Sequence, residues 1–251
     1  MADEWNVSDD ELLERIVAHY RRAFGNSPRA AGWLAERLVD AETAAAFELG
    51  WSGRTLGLAL PSSDRAAGRQ LRGRLQGVGV LRSTGHEQFR GCVVIPVRDR
   101  DGHVAQLCGL RIDRPQRRAD RPATPADAVL WLPGPATAIF NPMALGARGP
   151  DLILACDVAD ALLWWTAGFR NVIAPGGPKG WPSDLAQQLR SAKVERTLLA
   201  RDGVDKERML CDREDMRALG LPVPARHPRD AVRDVLDLDV EGGGGEQIES
   251  P

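Results

Sequence analysis

Two groups of residues have types and spacings that could do chemistry. The first is acidic. Asp157 and Asp160 follow directly on an apolar run at 151–156, and Asp202 and Asp205 follow on an apolar run at 195–200. The carboxyl edge of a parallel sheet, just past a buried strand, is where open α/β sheets place their ligands. The second group is basic. Between Arg54 and Arg121 there are 14 arginines against 6 acidic residues, a net of +8, which suits a phosphate-rich partner. Within that block Arg90, Arg98 and Arg111 flank two neighbouring strand-like runs, so they could converge on phosphate groups. A solvated arginine surface is the plainer account, because the chain holds 30 Arg and only 3 Lys.

The elements that must position these residues can be read from pattern. The stretch 151–175 reads strand, helix, strand: an apolar run ending at Cys156, Asp157 as a helix cap, Ala161, Leu162, Trp164 and Trp165 at helical spacing, Gly168 as a stop, then Val172 to Ala174. A further helix is expected over 183–192 and a third apolar strand over 195–200, with a short polar helix at 208–219, a short strand at 221–223 and a last helix at 229–238. Upstream, Ser8 and Glu11 form a capping box, Pro28 opens a second helix and Asp40 caps a third. Ser62 or Ser63 is expected to cap a fourth over 64–76, with Arg65, Arg69, Arg72 and Arg74 along it. Residues 92–97 and 104–112 read as strands joined by an Asp101-Gly102 hairpin turn, with Pro96 marking an edge or a bulge. The Pro/Arg-rich stretch 113–127 reads as a linker, and 129–132 as a short strand.

Length and composition bound the class. The chain has 251 residues, 43% hydrophobic and 27% charged, ordinary for a globular protein of one large or two small domains. No apolar run approaches a membrane span, and the acidic N-terminus is no secretory signal, so a cytoplasmic location and no membrane partner are expected. Cys92, Cys108, Cys156 and Cys211 form no CxxC pair, which speaks against zinc and against a disulfide framework. From Asp151 onward the balance reverses, with 13 basic and 18 acidic residues.

The ordered set of motifs resembles the catalytic core of bacterial DnaG-type primases over roughly residues 10–235. Gly50-Trp51 is similar to that family's Gly-aromatic, and Phe89 to Val97 resembles its R-F-R-x-R-V-x-F-P-I. Asp99 to Arg111 resembles its D-x-x-G-x-V-x-G-F-G-G-R, Phe140-Asn141-Pro142 its F-N-K, and Ala167 to Pro175 its A-G-x-x-N-V-V-A-P. The resemblance implies an α/β fold: a Toprim-like parallel sheet with flanking helices, preceded by a lobe of helices and a β-hairpin. The corresponding division is 1–127 for the N-terminal lobe, 128–240 for the Toprim-like domain and 241–251 for a Gly-rich, disordered tail. The family's N-terminal zinc module and C-terminal helicase-binding domain are not expected here.

The resemblance also implies chemistry. Clustered carboxylates at strand ends hold divalent metals that clamp phosphate oxygens. The family supplies them as E-G-x-x-D, D-G-D and D-P-D. In this chain the Glu falls on Cys156 and the Gly on Asp157, while the Asp is kept as Asp160. D-G-D becomes Asp202-Gly203-Val204 with Asp205 one place late, and D-P-D becomes His227-Pro228-Arg229 with Asp230 one place late. A thiol is a poor ligand for Mg²⁺, and an arginine repels the metal. Asp160 and Asp202 therefore stand as the catalytic and metal-binding pair, with Asp205 as a displaced third acid. They suit a weak single-metal site for Mg²⁺ or Mn²⁺, not a site for two or three metals. Of the R-F-R-x-R arginines only Arg90 survives.

Plainer accounts stand beside each feature. A first-turn acid and a turn aspartate are common without function. Cys156 suits a small buried hydrophobe, Gly176-Gly177 lacks a phosphate-loop pattern, and Trp164-Trp165 fits core plus rim better than a stacking platform. The four histidines have no spacing that suggests a triad or zinc site. The sequence thus points to a primase-core-like protein, impaired in catalysis, that binds single-stranded DNA or RNA, or a replication or mobile-element protein. The alternatives are an active primase with a shifted metal site and a protein scaffold that contacts no nucleic acid.

Overall fold

The computed structural model describes residue 5 and residues 7–112, 128–133, 138–146 and 151–200. The linker expected at 113–127, the acids Asp202 and Asp205, the elements expected after 200 and the tail at 241–251 lie outside the described residues. The chain divides into two compact units, one of residues 1–143 and 175–182, the other of residues 144–174 and 183–251.

The first unit begins with α1 (Asp9–Gly25). Ser8 caps it reciprocally: its Oγ accepts from the Glu11 N–H at 3.3 Å and its own N–H donates to the Glu11 carboxylate at 3.1 Å. Leu12, Ile16, Val17 and Tyr20 then bury one face. Ser27 and Pro28 start α2 (Pro28–Ala35), and Asp40 caps α3 (Ala41–Ala46) by accepting from the Thr43 N–H at 2.7 Å. The strands β1 (Gly50–Trp51), β2 (Cys92–Arg98), β3 (Val104–Arg111) and β4 (Val129–Trp131) form one antiparallel sheet in that order. Gly50 is required where β1 passes α1, because a Cβ there would stand 2.5 Å from the Tyr20 Cβ. The strand at 129–131, read from sequence as the head of the second domain, pairs with β3 and so completes the first sheet. Pro96 lies beyond Val93 and Val94, the residues of β2 that β1 covers, and a bulge follows at Val97/Arg98. The missing proline N–H therefore leaves the β1 pairing intact.

Two helices differ from expectation. A one-turn α4 (Leu56–Ala59) precedes the arginine-bearing helix, which is α5 (Ala66–Gly77). One turn is too short to show a periodicity. Helix α5 starts two residues late and without a side-chain cap, because Ser62 bonds to Asp64 within its own turn. The short β5 (Ile139–Phe140) follows β4, with Phe140 against Phe47 at 4.7 Å between ring centroids.

The second unit is built on a parallel trio. β6 (Asp151–Ala155) lies between β7 (Val172–Pro175) and β8 (Arg196–Ala200), with Ile153 opposite Val172 and Ala155 opposite Ala200. Helix α6 (Val158–Thr166) crosses from β6 to β7, and α7 (Leu185–Ser191) precedes β8. Leu152, Ile153, Leu154 and Ala155 are all buried, as a parallel strand covered on both faces requires. Gly168, at φ +93°, ends α6, and the Phe169 N–H donates back to the Trp164 carbonyl. Trp164 is buried in the core, while Trp165 is half-buried under Arg170 at 4.4 Å.

His19 gives the first unit a pH dependence. It is half-buried, bonded to the Thr55 hydroxyl at 3.1 Å and set edge-on to Tyr20. Burial holds its imidazole below the ordinary value; Arg22 pushes the same way and Glu87 opposes it. The folded state therefore binds this proton less readily than the unfolded chain. Its contribution to stability is present above about pH 6.5 and is lost as the pH falls below that value, where the unfolded chain takes up the proton. His19→Gln is expected to flatten the acid-side decline of the urea midpoint below about pH 6.5. An unchanged slope would remove His19 as its source.

Candidate functional site

The carboxyl edge of the parallel trio is where sequence places the acids. β6 ends at Ala155, Cys156 is half-buried and Asp157 is exposed. Asp157 adopts an extended backbone, φ −153° and ψ 178°, and its carboxylate accepts from the Asp160 N–H at 2.9 Å. That carboxylate is thus engaged as the N-cap of α6. Asp160 stands in the first turn of the same helix, half-buried, where the helix dipole favours a negative charge. Asp202 and Asp205 lie outside the described residues, so Asp160 is the expected metal ligand whose surroundings are described.

Among the described residues one group could offer three ligand atoms to a metal: Asp99, Asp101 and His103, with those atoms within 4.8 Å of one another. It sits in the turn between β2 and β3. Asp99 Oδ1 accepts from the Asp101 and His103 N–H groups, both at 2.9 Å, while Gly102 takes φ +88°. These bonds are the ordinary work of an aspartate closing a hairpin turn. The D-x-D-x-H spacing is visible in the sequence, but only the folded turn brings the three side chains together.

The three arginines separate. Arg111 ends β3 in register with Cys92, next to the turn that carries exposed Arg90. The Ile112 N–H donates to the Gly91 carbonyl at 3.0 Å and holds that turn beside the strand end. Arg111 is half-buried, and its Nε has no hydrogen-bond partner. Arg98 lies at the other end of β2, six residues from Cys92, or roughly 20 Å at about 3.3 Å per residue. Its guanidinium bonds Glu14 at 2.7 and 3.1 Å, Glu48 at 2.6 Å and the Gly102 carbonyl at 2.6 Å. These partners hold its pKa far above the ordinary arginine value, with Glu14 contributing most.

Other basic residues gather near Arg90. Arg54, Arg72 and His86 line a cavity of about 280 Å³ with it, beside Glu87. Sequence shows Arg72 only as one of several arginines on α5. In the structure Arg74 bonds Asp9 and the Val7 carbonyl, and Arg69 bonds the carbonyls of Ser63 and Asp64. Arg72 alone of these three turns to the cavity. Gly176, weighed as part of a phosphate cradle, serves packing: a Cβ there would stand 1.9 Å from the Ala138 carbonyl oxygen.

No family model matches the sequence, and no curated protein does. Solved structures do. The crystal structure of the Aquifex aeolicus primase, comprising zinc-binding and RNA polymerase domains, gives a TM-score of 0.67 at 20% identity over 94% of this chain. A DNA primase domain from Pseudomonas aeruginosa gives 0.69 at 18% identity, covering 93% of this chain and 78% of that one. The chain has the fold of the DnaG primase catalytic core. The DnaG catalytic domain bound to single-stranded DNA is similar too, with a TM-score of 0.67 at 18% identity, over 93% of this chain and 80% of that one. The chain spans 61% of the Aquifex structure. Among the described residues no helix is long and apolar enough to cross a membrane.

Arg98 is a support of this fold rather than an open cation. Arg98→Met would leave Glu14 and Glu48, half-buried, without their shared donor. The expected cost is about 1.5–3 kcal/mol in urea unfolding. A loss below about 0.5 kcal/mol would place the pair among surface ion pairs of no consequence.

Proposed function

We propose that this chain is a primase-core-like protein that binds single-stranded nucleic acid through the sheet end carrying Arg90 and Arg111. The observation that carries the reading is the juxtaposition of those two arginines on a primase fold, neither of them bonded to a carboxylate among the described residues. Arg98 is left out of the binding set because its guanidinium is already engaged. A replication or mobile-element setting, and a Toprim identity for the second unit, belong to the same reading and rest on the sequence motifs. So does impaired catalysis: Cys156 is a poor substitute for a carboxylate toward a hard cation.

Fluorescence anisotropy with a labelled single strand tests this. Binding is expected to weaken with salt by a log–log slope of about −0.7 per phosphate contact. Arg90→Glu is expected to abolish binding at moderate salt. Unchanged affinity and slope in that variant would sink the assignment of the face.

The position of Asp160, in the first turn of α6 at the carboxyl edge of β6, favours a second reading: a working primase with Mg²⁺ or Mn²⁺ held by Asp160, Asp202 and Asp205. The chemistry of that donor set suits a hard cation. The metal would supply charge stabilisation at the transferring phosphoryl group, and Asp160 would orient it. Primer synthesis on single-stranded DNA decides between them. Product that depends on metal and vanishes in Asp160→Ala/Asp202→Ala establishes the enzyme. No product from a folded wild type leaves the binding protein.

A further inference from the structure

The cavity lined by Arg54, Arg72, His86 and Arg90 lies in the first unit and is assigned no role by the fold. We propose that it is a receptor for a terminal phosphate, a phosphate monoester carried on the 5′ end of a strand or on a free nucleotide. The inference rests on the preceding reading only in taking nucleic acid or nucleotide as the source of the phosphate.

Charge is the first argument. Three guanidinium-bearing side chains line the cavity against one acid, Glu87. That acid is turned to the interior. Its Oε2 accepts from the Ser52 hydroxyl at 2.5 Å and the Tyr20 hydroxyl at 3.3 Å, and its Oε1 accepts from the Leu56 N–H at 3.1 Å. An occupant therefore meets a net positive wall. A monoester is close to dianionic at neutral pH, whereas an internal phosphodiester carries one charge, so a terminal phosphate draws more from three cations.

Hydrogen bonding is the second. Arg72 makes one long contact, Nη2 to the Gly57 carbonyl at 3.5 Å, and its Nη1 is buried without a hydrogen-bond partner. A charged donor left in this state lacks what a phosphate oxygen supplies. Arginine, with its planar fork, suits phosphate bidentately where lysine would not. Arg54 adds a third point: it is held at φ 70°, in the left-handed region that a side chain enters at a cost. The size agrees. About 280 Å³ is roughly nine water volumes at about 30 Å³ each, enough for a phosphate and part of its ester.

The test compares anisotropy of one oligodeoxythymidylate with a 5′-phosphate and with a 5′-hydroxyl, on wild type, Arg72→Gln and His86→Ala. The phosphorylated strand is expected to bind wild type about tenfold more tightly, and the ratio is expected to fall toward one in both variants. His86 is exposed, so His86→Ala keeps the comparison meaningful if Arg72→Gln unfolds. A nucleoside 5′-monophosphate that erases the ratio by competition would show that free nucleotides use the same pocket; failure to compete would confine it to strand ends. Equal binding of both strands to wild type overturns the pocket and leaves the single-strand reading standing. Binding of neither strand overturns the single-strand reading. The pocket is then decided by thermal shift with the monophosphate, where protection of wild type but not His86→Ala supports it and no protection overturns it.

Discussion

The first unit depends on one guanidinium. Arg98 joins Glu14 on α1, Glu48 ahead of β1 and the Gly102 carbonyl in the hairpin turn, so a single side chain ties a helix, a loop and two strands. Glu14 adds a further tie by accepting from the Val104 N–H at 3.2 Å. Arg98 is about a quarter exposed, so these charges are screened less than surface pairs and each hydrogen bond is charge-assisted. With one end of the hairpin anchored in this way, Arg90 and Arg111 lie at its other end.

A second buried anchor sits near that other end. The Glu87 carboxylate collects Tyr20 from α1, Ser52 from beyond β1 and the first N–H of α4. Burial, and then the nearby charge of Glu87, hold the Tyr20 phenol well above its ordinary pKa, so it stays a donor. The side chains around Glu87 thereby fix the wall against which Arg54, Arg72, His86 and Arg90 gather. A buried carboxylate with all its partners present is costly to disturb, which makes this corner stiff.

The second unit is organised by a different rule. Its strands are parallel, and β6 and β7 are largely buried, so polar chemistry is expected where strands end. Asp157 is held by capping α6, and Asp160 is one turn into the same helix. β8 runs beside β6 with Ala200 opposite Ala155, and in the sequence Asp202 comes two residues after Ala200. Asp160 and Asp202 are thus counted from the ends of neighbouring strands.

Local features were legible in the sequence alone. The Ser8/Glu11 box, the Asp40 and Asp157 caps, the Asp101-Gly102 turn and the apolar runs of β6, β7 and β8 are each decided within a few residues, by hydrogen bonds or burial that near neighbours settle. The order of motifs was enough to point to the primase core. What the sequence could not distinguish was one arginine from another. Arg90 and Arg98 are eight positions apart and chemically identical, yet the extended β2 between them puts them at opposite ends of a hairpin. Glu14 and Glu48, 84 and 50 residues away in the chain, then capture Arg98. The same holds for Arg72 against Arg69 and Arg74, and for the strand at 129–131 that joined the first sheet. Which charge stays open to a ligand is set by partners distant in sequence, and only the tertiary structure brings those partners into reach.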